Sequence, residues 1–373
     1  MTFEPLRDKI VLIRSSRKES TVKYIRNAMI NGTLTDVGVE DGKIAFIGKC
    51  NEEGLDLGGL RLYPGLIDIH SHGCNGVDTM DDAPFDDMAK FQLEHGTTTW
   101  YPTTMTMPLD LIAAATRKNT EIEGGANIPG FHLEGPFINP KFKGAQNPDH
   151  IFAPKAELIG QCEKVAMITI APELPGSRRL IESTDAIVSL GHSDADYDTA
   201  KGAFAAGVRC LTHTCNAMNG IHHRAPGPII AAAESDGVYA QVISDGLHIH
   251  PAIVRMLITL FGDERIILIS DSMAATGCSD GEYDFGGMPI IVKNGEARTL
   301  EGNLAGSTTT LFGCVKKLIS FGIEPERAVK MATENPARLM GLNKGRIEIG
   351  YDADFIIVDE DFNLVRAIAR GEF

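Results

Sequence analysis

Eight short apolar runs, rich in β-branched residues, recur along the middle of the chain. They cover residues 66–70, 97–101, 128–133, 166–171, 186–190, 208–213, 239–244 and 265–270. Segments with apolar residues at helical spacing separate most of them, as at 85–94, 109–118, 195–206 and 251–260. Eight strand-then-helix units in about 280 residues predict an α/β fold, a (β/α)8 TIM-like barrel over residues 64–342. Two further helices, 308–320 and 325–340, are predicted to close it.

Both ends of the chain have a different pattern, in which short alternating runs are broken by glycine-containing turns. The runs are Lys23–Arg26, Leu34–Val39, Lys43–Ile47, Leu60–Leu62, Gly345–Ile349, Ala353–Asp359 and Leu364–Ile368. We therefore expect a small β-sandwich domain built from residues 1–63 and 343–373. Within it, Lys9 to Arg14 is either an added strand or a loose arm.

An open doubly wound sheet is the alternative to a barrel. Such a sheet calls for a glycine-rich phosphate loop after its first strand. The sequence contains neither a G-x-G-x-x-G motif nor a P-loop lysine, which favours the barrel.

The composition of the chain excludes some classes of partner and indicates a cellular compartment. The formal charge of −15 argues against nucleic acid as a partner, so an anionic substrate requires a locally basic pocket. Seven cysteines without a C-x-x-C pair fit free thiols in a reducing compartment, and we expect the cytoplasm. Residues 1–19 lack the apolar core of a signal peptide, and no stretch has the apolar length that a membrane span needs.

Polar residues that bind metals follow five of the predicted strands. His70 and His72 follow the first, Glu134 the third, His192 the fifth, His213 the sixth and Asp271 the eighth. The carboxyl ends of barrel strands meet at one mouth, so these side chains are predicted to converge there. Nitrogen and oxygen donors of this kind suit zinc or iron.

The sequence segments around these residues resemble motifs of the amidohydrolase superfamily. Pro64-Gly-Leu-Ile-Asp-Ile-His-Ser-His72 is similar to its opening metal motif. Five further segments resemble the N-acetylglucosamine-6-phosphate deacetylase family: His132-Leu-Glu-Gly-Pro-Phe137, Leu190-Gly-His-Ser193, Thr212-His-Thr-Cys-Asn-Ala-Met218, Ser244-Asp-Gly-Leu-His248 and Ser270-Asp-Ser-Met-Ala-Ala-Thr-Gly277.

The resemblance implies a ligand set. Glu134, His192 and His213 would hold one divalent ion, and His70, His72 and Asp271 would complete a second site with Glu134 as the bridge. The expectation is one ion or two per subunit, zinc or iron.

The resemblance also implies roles for individual residues. Asp271 would act as general acid and base for a metal-activated hydroxide that attacks an acetyl carbonyl. Gln146 stands where other members have a histidine and would bind substrate and donate a hydrogen bond to the oxyanion. Further substrate contacts are implied for Asn216 and Ala217 at a phosphate, His248 at the sugar or phosphate, Leu304 near the acetyl group, and Arg224 contributed by the neighbouring subunit of a homodimer.

The expected reaction is hydrolysis of N-acetylglucosamine 6-phosphate to glucosamine 6-phosphate and acetate, in amino-sugar catabolism and cell-wall recycling. The galacto epimer differs at one hydroxyl and remains an alternative substrate. Another metal-dependent amidohydrolase, a ring-opening or deaminating enzyme, is the remaining alternative, although such enzymes lead one to expect a bridging lysine.

Overall fold

The computed structural model describes residues 22–373. Residues 1–21, with the start of the predicted small domain and the candidate strand 9–14, lie outside the described residues. The strands are β1 Lys23–Ile30, β2 Thr33–Glu40, β3 Lys43–Gly48, β4 Leu55–Asp56, β5 Arg61–Pro64, β6 Leu66–Ser71, β7 Gly73–Cys74, β8 Val77–Asp78, β9 Thr97–Thr104, β10 Phe131–Glu134, β11 Val165–Ile170, β12 Ile187–Leu190, β13 Cys210–Leu211, β14 Tyr239–Val242, β15 Ile266–Leu268, β16 Gly281–Phe285, β17 Met288–Lys293, β18 Glu296–Thr299, β19 Phe355–Val358 and β20 Leu364–Ile368. The α-helices are α1 Asp86–Glu94, α2 Leu109–Thr116, α3 Ala156–Ile159, α4 Ser177–Ser183, α5 Tyr197–Ala206, α6 Gly227–Ala233, α7 Pro251–Phe261, α8 Leu311–Ser320, α9 Pro325–Met331 and α10 Glu334–Met340, and two 3-10 turns lie at Pro140–Phe142 and Pro148–His150.

The predicted barrel is confirmed. Eight strands pair in the order β6, β9, β10, β11, β12, β13, β14, β15, and every pairing between neighbours is parallel. Each corresponds to one of the eight predicted apolar runs. Strands of a parallel barrel are covered on both faces, which is why they appear in the sequence as continuous apolar runs rather than as alternating ones. Among residues 22–373, none of the helices has both the length and the apolar character that a bilayer crossing needs.

The two end strands of that order, β15 and β6, meet at a seam just beyond their pairing ladders. The N–H of Asp271 donates to the carbonyl of His70 at 2.9 Å, and the N–H of His72 donates to the carbonyl of Ser272 at 2.7 Å. The buried carboxylate of Asp68 accepts the hydroxyl of Ser270 across the same seam. Side-chain and backbone bonds together therefore join the first barrel strand to the last.

A second sheet takes strands from both ends of the chain. Its order is β20, β19, β5, β1, β2, β3, and β4 also pairs with β1, outside this order. β19 pairs antiparallel with β5, so the C-terminal segment joins the N-terminal one directly before the barrel begins. Alternate residues of these strands, such as Val37, Ile44 and Phe355, pack into one apolar cluster.

Two local predictions near the C-terminus were wrong. The predicted strand at residues 345–349 forms no strand, because Arg346 turns toward the barrel and pairs with Glu334 at 2.6 Å. The predicted helix 325–340 is two helices, α9 and α10, with a break at Thr333 (φ −134°, ψ −78°). Next to the break, the side chain of Asn335 donates to the carbonyls of Asp263 and Ile266, both at 2.7 Å, and this anchors α10 beneath β15.

A three-stranded antiparallel sheet, β16 to β18, was not predicted. It is inserted between β15 and α8. Asn294 and Gly295 both have positive φ, 53° and 73°, as a two-residue hairpin turn between β17 and β18 requires. Its apolar face, with Phe285 and Ile290, packs on Met105 and Met273 at the barrel mouth.

Candidate metal centre and active-site cavity

Six potential ligands converge at the carboxyl ends of the barrel strands. Glu134 ends β10 and lies at the centre of the group. Its Oε1 is 2.9 Å from Nε2 of His213 and 3.2 Å from Nε2 of His192, and its Oε2 is 3.2 Å from Nε2 of His72. The remaining contacts are His70 Nε2 to Glu134 Oε1 at 3.3 Å, and Asp271 Oδ1 to Nε2 of His70 at 3.5 Å and of His72 at 3.3 Å. The structure thus brings together all six residues that the sequence predicted to converge.

Three of the six residues have a left-handed backbone conformation. The φ angles of His192, His213 and Asp271 are 49°, 28° and 49°. This conformation costs a non-glycine residue of order 1 kcal/mol or more and persists only where surrounding packing enforces it. Gly191 gives one reason for the tight packing, because a Cβ at this position would lie 2.6 Å from Cβ of Thr212. Strain is therefore concentrated where strands end in candidate ligands.

The hydrogen-bond partner of Nδ1 identifies which nitrogen carries the hydrogen in three of the histidines. In each, Nδ1 faces an oxygen that only accepts hydrogen bonds. The acceptors are Gln241 Oε1 at 3.1 Å from His70, Thr103 O at 3.2 Å from His72, and Phe142 O at 2.8 Å from His192. Gln241 Oε1 also accepts the backbone N–H of His213 at 3.3 Å, which fixes the orientation of its amide. Each Nδ1 therefore carries a hydrogen, and in the neutral ring Nε2 is the nitrogen with the lone pair.

The Nε2 atoms of four histidines lie close to one another, so their spacing can be compared with the spacing of ligand atoms around a metal ion. Nε2 of His70 lies 3.2 Å from Nε2 of His72, and Nε2 of His192 lies 3.1 Å from Nε2 of His213. Ligand atoms around one tetrahedral zinc stand roughly 3.3 Å apart, given bonds of about 2.05 Å. Two groups meet this spacing, His70, His72 and Glu134, and Glu134, His192 and His213, each with all donor atoms within 4.8 Å. The donor set fits a divalent cation in either group.

The electrostatics of the cluster favour added positive charge. Burial favours the neutral form of Glu134, yet the nearby charges and hydrogen bonds of His70 and His192 hold its pKa well below the usual range. Burial disfavours the charged form of His72, but hydrogen bonds to Asp271 and Glu134 raise its pKa to about 10, so a proton on Nε2 supplies the positive charge that a bound cation would otherwise supply. Two buried carboxylates thus call for cations beside them, and a divalent ion supplies this charge.

A cavity of about 420 Å³ opens above the cluster. Its floor includes His72, Glu134, His192, His213 and Asp271. Five residues predicted to contact substrate lie in its walls: Gln146, Asn216, Ala217, His248 and Leu304. Arg224 is exposed and is not among the residues that line this cavity; its Nη1 lies 2.6 Å from Nε2 of His223.

Three basic side chains line the cavity, and each has a carboxylate partner. Nδ1 of His248, after β14, is 2.7 Å from Oδ2 of Asp245. Burial disfavours the charged form of His248, but the hydrogen bond and charge of Asp245 raise its pKa. Lys141 and Lys143, on the loop after β10, lie 2.9 Å from Asp194 and 3.8 Å from Glu301. The cavity therefore offers cationic groups to an anion from two sides.

Several residues of the site were not predicted. The loop around the inserted sheet contributes Phe285, Glu301 and Asn303 to the cavity. The Phe285 ring lies 5.1 Å from the His72 ring, nearly perpendicular to it. Asn294-Gly295, next to the alternating run Met288–Lys293, is a hairpin signal that would have revealed the insertion.

The chain is similar to known proteins over most of its length. The model of the amidohydrolase family matches residues 61–373. The N-acetylglucosamine-6-phosphate deacetylase of Lysinibacillus sphaericus is 37% identical over 365 residues, which cover 92% of this chain and 94% of that protein. The chain belongs to the amidohydrolase family.

Two further proteins are similar to this amidohydrolase over nearly its whole length. The N-acetylgalactosamine-6-phosphate deacetylase of Escherichia coli O157:H7 is 34% identical over 351 residues, 90% of this chain and 93% of that one. A mutant N-acetyl-D-glucosamine-6-phosphate deacetylase from Mycobacterium smegmatis, solved in complex with N-acetyl-D-glucosamine-6-phosphate, superposes with a TM-score of 0.86 at 29% identity. That likeness covers 94% of this amidohydrolase and 99% of the solved chain.

Proposed function

We propose that this amidohydrolase removes the acetyl group from N-acetylglucosamine 6-phosphate, releasing glucosamine 6-phosphate and acetate. The observation that supports this proposal most directly is the convergence of six strand-end ligands beneath a cavity lined by basic side chains, in a chain 37% identical to an enzyme of that name. N-acetylgalactosamine 6-phosphate is the second candidate substrate, favoured by the 34% identity to the Escherichia coli relative.

Glu134, His192 and His213 would hold a first divalent ion in this proposal. His70, His72 and Asp271, together with Glu134, would hold a second. Support comes from the Nε2 atoms that approach the two oxygens of Glu134. Zinc or iron is the expected metal, because the donors are imidazoles and carboxylates. A bound ion would supply Lewis acidity, which lowers the pKa of water so that hydroxide is available at neutral pH.

Asp271 is the proposed general base and acid. It lies at the cavity floor, and its side chain is 10% exposed. Burial favours its neutral form, but His70 and His72 lower its pKa, so it is a carboxylate at neutral pH. In that form Asp271 accepts a proton from the attacking water. It then returns the proton to the departing amide nitrogen, which leaves as a neutral amine.

Different side chains of the cavity wall are proposed to bind different groups of the substrate. His248 and the lysines of the β10 loop attract the 6-phosphate, and Asn216 and Ala217 bind the same group from the loop after β13. Leu304 supplies an apolar contact for the acetyl methyl group. This assignment is supported by the position of all these residues around one cavity.

Arg224 is proposed to act in the active site of a second copy of the chain. Its exposed position outside its own cavity supports this role. Four apolar side chains on the segments that follow β13 and β14 are each more than a third exposed: Ile221, Leu247, Ile253 and Met256. Burial of this surface would stabilise a homodimer with two shared sites.

We also propose the domain division and the compartment. Residues 64–342 form the catalytic domain, and residues 1–63 and 343–373 the small domain, a division supported by the second sheet over residues 22–373. The cytoplasm is proposed because all seven cysteines are free thiols, as a reducing compartment permits.

Acetate release by zinc-loaded protein from three substrates tests the function. We expect turnover of N-acetylglucosamine 6-phosphate, slower turnover of its galacto epimer, and a much higher KM for unphosphorylated N-acetylglucosamine. Faster turnover of the galacto sugar would reverse the assignment between the two candidates. Absence of acetate with both phosphorylated sugars, at confirmed metal occupancy, would falsify the deacetylase proposal.

A further inference from the structure

Gln146 is buried beside the metal cluster, and both ends of its amide are engaged. It is 2% exposed. Its Oε1 accepts the backbone N–H of Thr106 at 2.7 Å, and its Nε2 donates to Oε2 of Glu134 at 2.6 Å. The second hydrogen on Nε2 faces Sδ of Met105 at 3.7 Å. The amide is thus held between the backbone after β9 and the carboxylate at the end of β10.

The orientation of this amide is determined by its neighbours. A backbone N–H only donates, so the atom facing Thr106 must be the oxygen. The nitrogen therefore faces Glu134, and an amide flip would place a donor against a donor and an oxygen against a carboxylate oxygen. The contact with Glu134 is a charge-assisted hydrogen bond between buried partners, the stronger kind.

We infer that Gln146 is a positioning residue for the metal-bridging carboxylate. Oε1 of Glu134 faces His70, His192 and His213, while Oε2 faces His72. The N–H of Gln146 on Oε2 fixes the rotation of the carboxylate, and with it the direction in which each oxygen faces these histidines. Gln146 thereby acts on the metal through Glu134.

This role differs from the oxyanion contact implied by family resemblance. An oxyanion donor needs a free N–H aimed at the substrate. Both hydrogens of the Gln146 amide have partners within the protein. The two roles predict different effects of a substitution. Loss of a positioning residue weakens metal binding, whereas loss of an oxyanion donor lowers kcat at full metal occupancy.

The test measures zinc binding to metal-free protein by calorimetry, without substrate. Gln146→Met keeps the length of the side chain and removes the donor, and Gln146→Asn keeps the amide but is too short to reach. We expect zinc affinity to fall by roughly 10- to 100-fold in both, the range for residues that orient metal ligands. With saturating zinc, kcat should recover to within about tenfold of the unmodified protein. Asp149→Ala, an exposed change on the same loop, is the control and should bind zinc normally.

Two outcomes would overturn the inference. One is unchanged zinc affinity in folded Gln146→Met or Gln146→Asn, whatever the effect on turnover. The other is a kcat that stays low at full zinc occupancy, which is the behaviour of an oxyanion donor. If the Met variant does not fold, the Asn variant decides. The inference rests on the metal site of the proposed function, but zinc binding is measured without substrate, so failure of the deacetylase proposal and failure of this one are separately visible.

Discussion

The side-chain oxygen of Gln241 lies 3.1 Å from Nδ1 of His70, inside the barrel and fully buried. Gln241 is on β14, the seventh barrel strand, whereas His70 is on the first. The carbonyl oxygen of the amide holds His70 in the tautomer whose Nε2 faces the metal cluster. A residue that is distant in the sequence thus determines which nitrogen of a candidate ligand is free to bind.

Replacement of Gln241 by Leu should weaken the second metal position more than the first. Without an acceptor for its Nδ1 hydrogen, the His70 ring loses its fixed orientation. Affinity for the second equivalent of zinc should fall by roughly 10- to 100-fold. The first equivalent should be affected less, because Gln241 reaches His213 only through a 3.3 Å bond to its backbone N–H.

Calorimetric titration of metal-free protein measures both. Met167→Leu, which removes the weak sulfur contact of the same amide and keeps a buried apolar side chain, is the matched control. Identical titrations for both variants would contradict the prediction.

Asp271→Asn should separate chemistry from metal binding. The amide accepts no proton from water at neutral pH, so kcat should fall by about 10²- to 10⁴-fold. The ligands Glu134, His192 and His213 are untouched, and the first zinc should be retained, as measured by elemental analysis of the dialysed protein. A parallel loss of zinc at that position and of activity would instead make Asp271 chiefly a ligand.

Arg224→Ala should raise KM for the phosphorylated sugar far more than KM for unphosphorylated N-acetylglucosamine, because the guanidinium is proposed to bind phosphate. A mixing experiment tests whether it acts across subunits. Glu134→Gln should lose metal and activity, yet its subunit still offers Arg224 to a partner. After exchange of subunits with Arg224→Ala, about a quarter of normal activity should return, since half of the dimers are mixed and each mixed dimer has one complete site.

The control for that experiment is each variant mixed with itself. Activity that never exceeds the sum of the two separate variants would show that Arg224 serves its own subunit or none. Light scattering should give the mass of a dimer for the unmodified protein.

Asp36 in the second sheet should make stability depend on pH. Its carboxylate is 1% exposed and accepts the backbone N–H groups of Asn27 at 2.8 Å and Cys50 at 2.9 Å. Burial raises its pKa, but these two hydrogen bonds outweigh burial and lower the pKa below the ordinary 3.8. A depressed pKa in the folded state stabilises the protein above the unfolded pKa, and this stability is lost as the pH falls through the folded value.

Asp36→Asn should therefore destabilise the protein by roughly 2 kcal/mol near neutral pH, since charge-assisted hydrogen bonds are lost. The difference from the unmodified protein should begin to shrink below about pH 4, where the carboxylate is protonated in the unfolded chain, and should be lost as the pH falls through the lower pKa of folded Asp36. Calorimetric unfolding across this range measures it. Asp82→Asn, at an exposed position, should show neither effect. A difference that stays constant down to acid pH would remove the ionised carboxylate as its cause.

The barrel was predictable because its strands are locally distinct. Parallel strands covered on both faces appear as apolar runs, and the acid and histidines that end them stand out as the first polar residues afterwards. The relation between Gln241 and His70 was not predictable, because it depends on closure of the barrel, which brings the seventh strand next but one to the first. A glutamine within the run Tyr239–Val242 has no local feature that indicates its partner.

The two errors near the C-terminus have different origins. Residues 345–349 alternate like a strand, yet Arg346 pairs with Glu334 on α10. Such a contact depends on the assembled fold, which the sequence pattern of a single segment does not contain.

The break in the predicted helix 325–340 had a local signal. Pro336 has no N–H to donate to the carbonyl of Ala332, so a continuous helix cannot pass through this point, and α10 begins anew at Glu334.

The seam between β15 and β6 has a consequence for folding. His70 and His72 stand on one side of it and Asp271 on the other. An ion held by all three would cross-link the first barrel strand to the last, as a covalent staple between distant parts of a chain would. Ligands that bind only the native state stabilise it in proportion to their concentration. Closure of the barrel and binding of such an ion would then be linked equilibria, in which each favours the other.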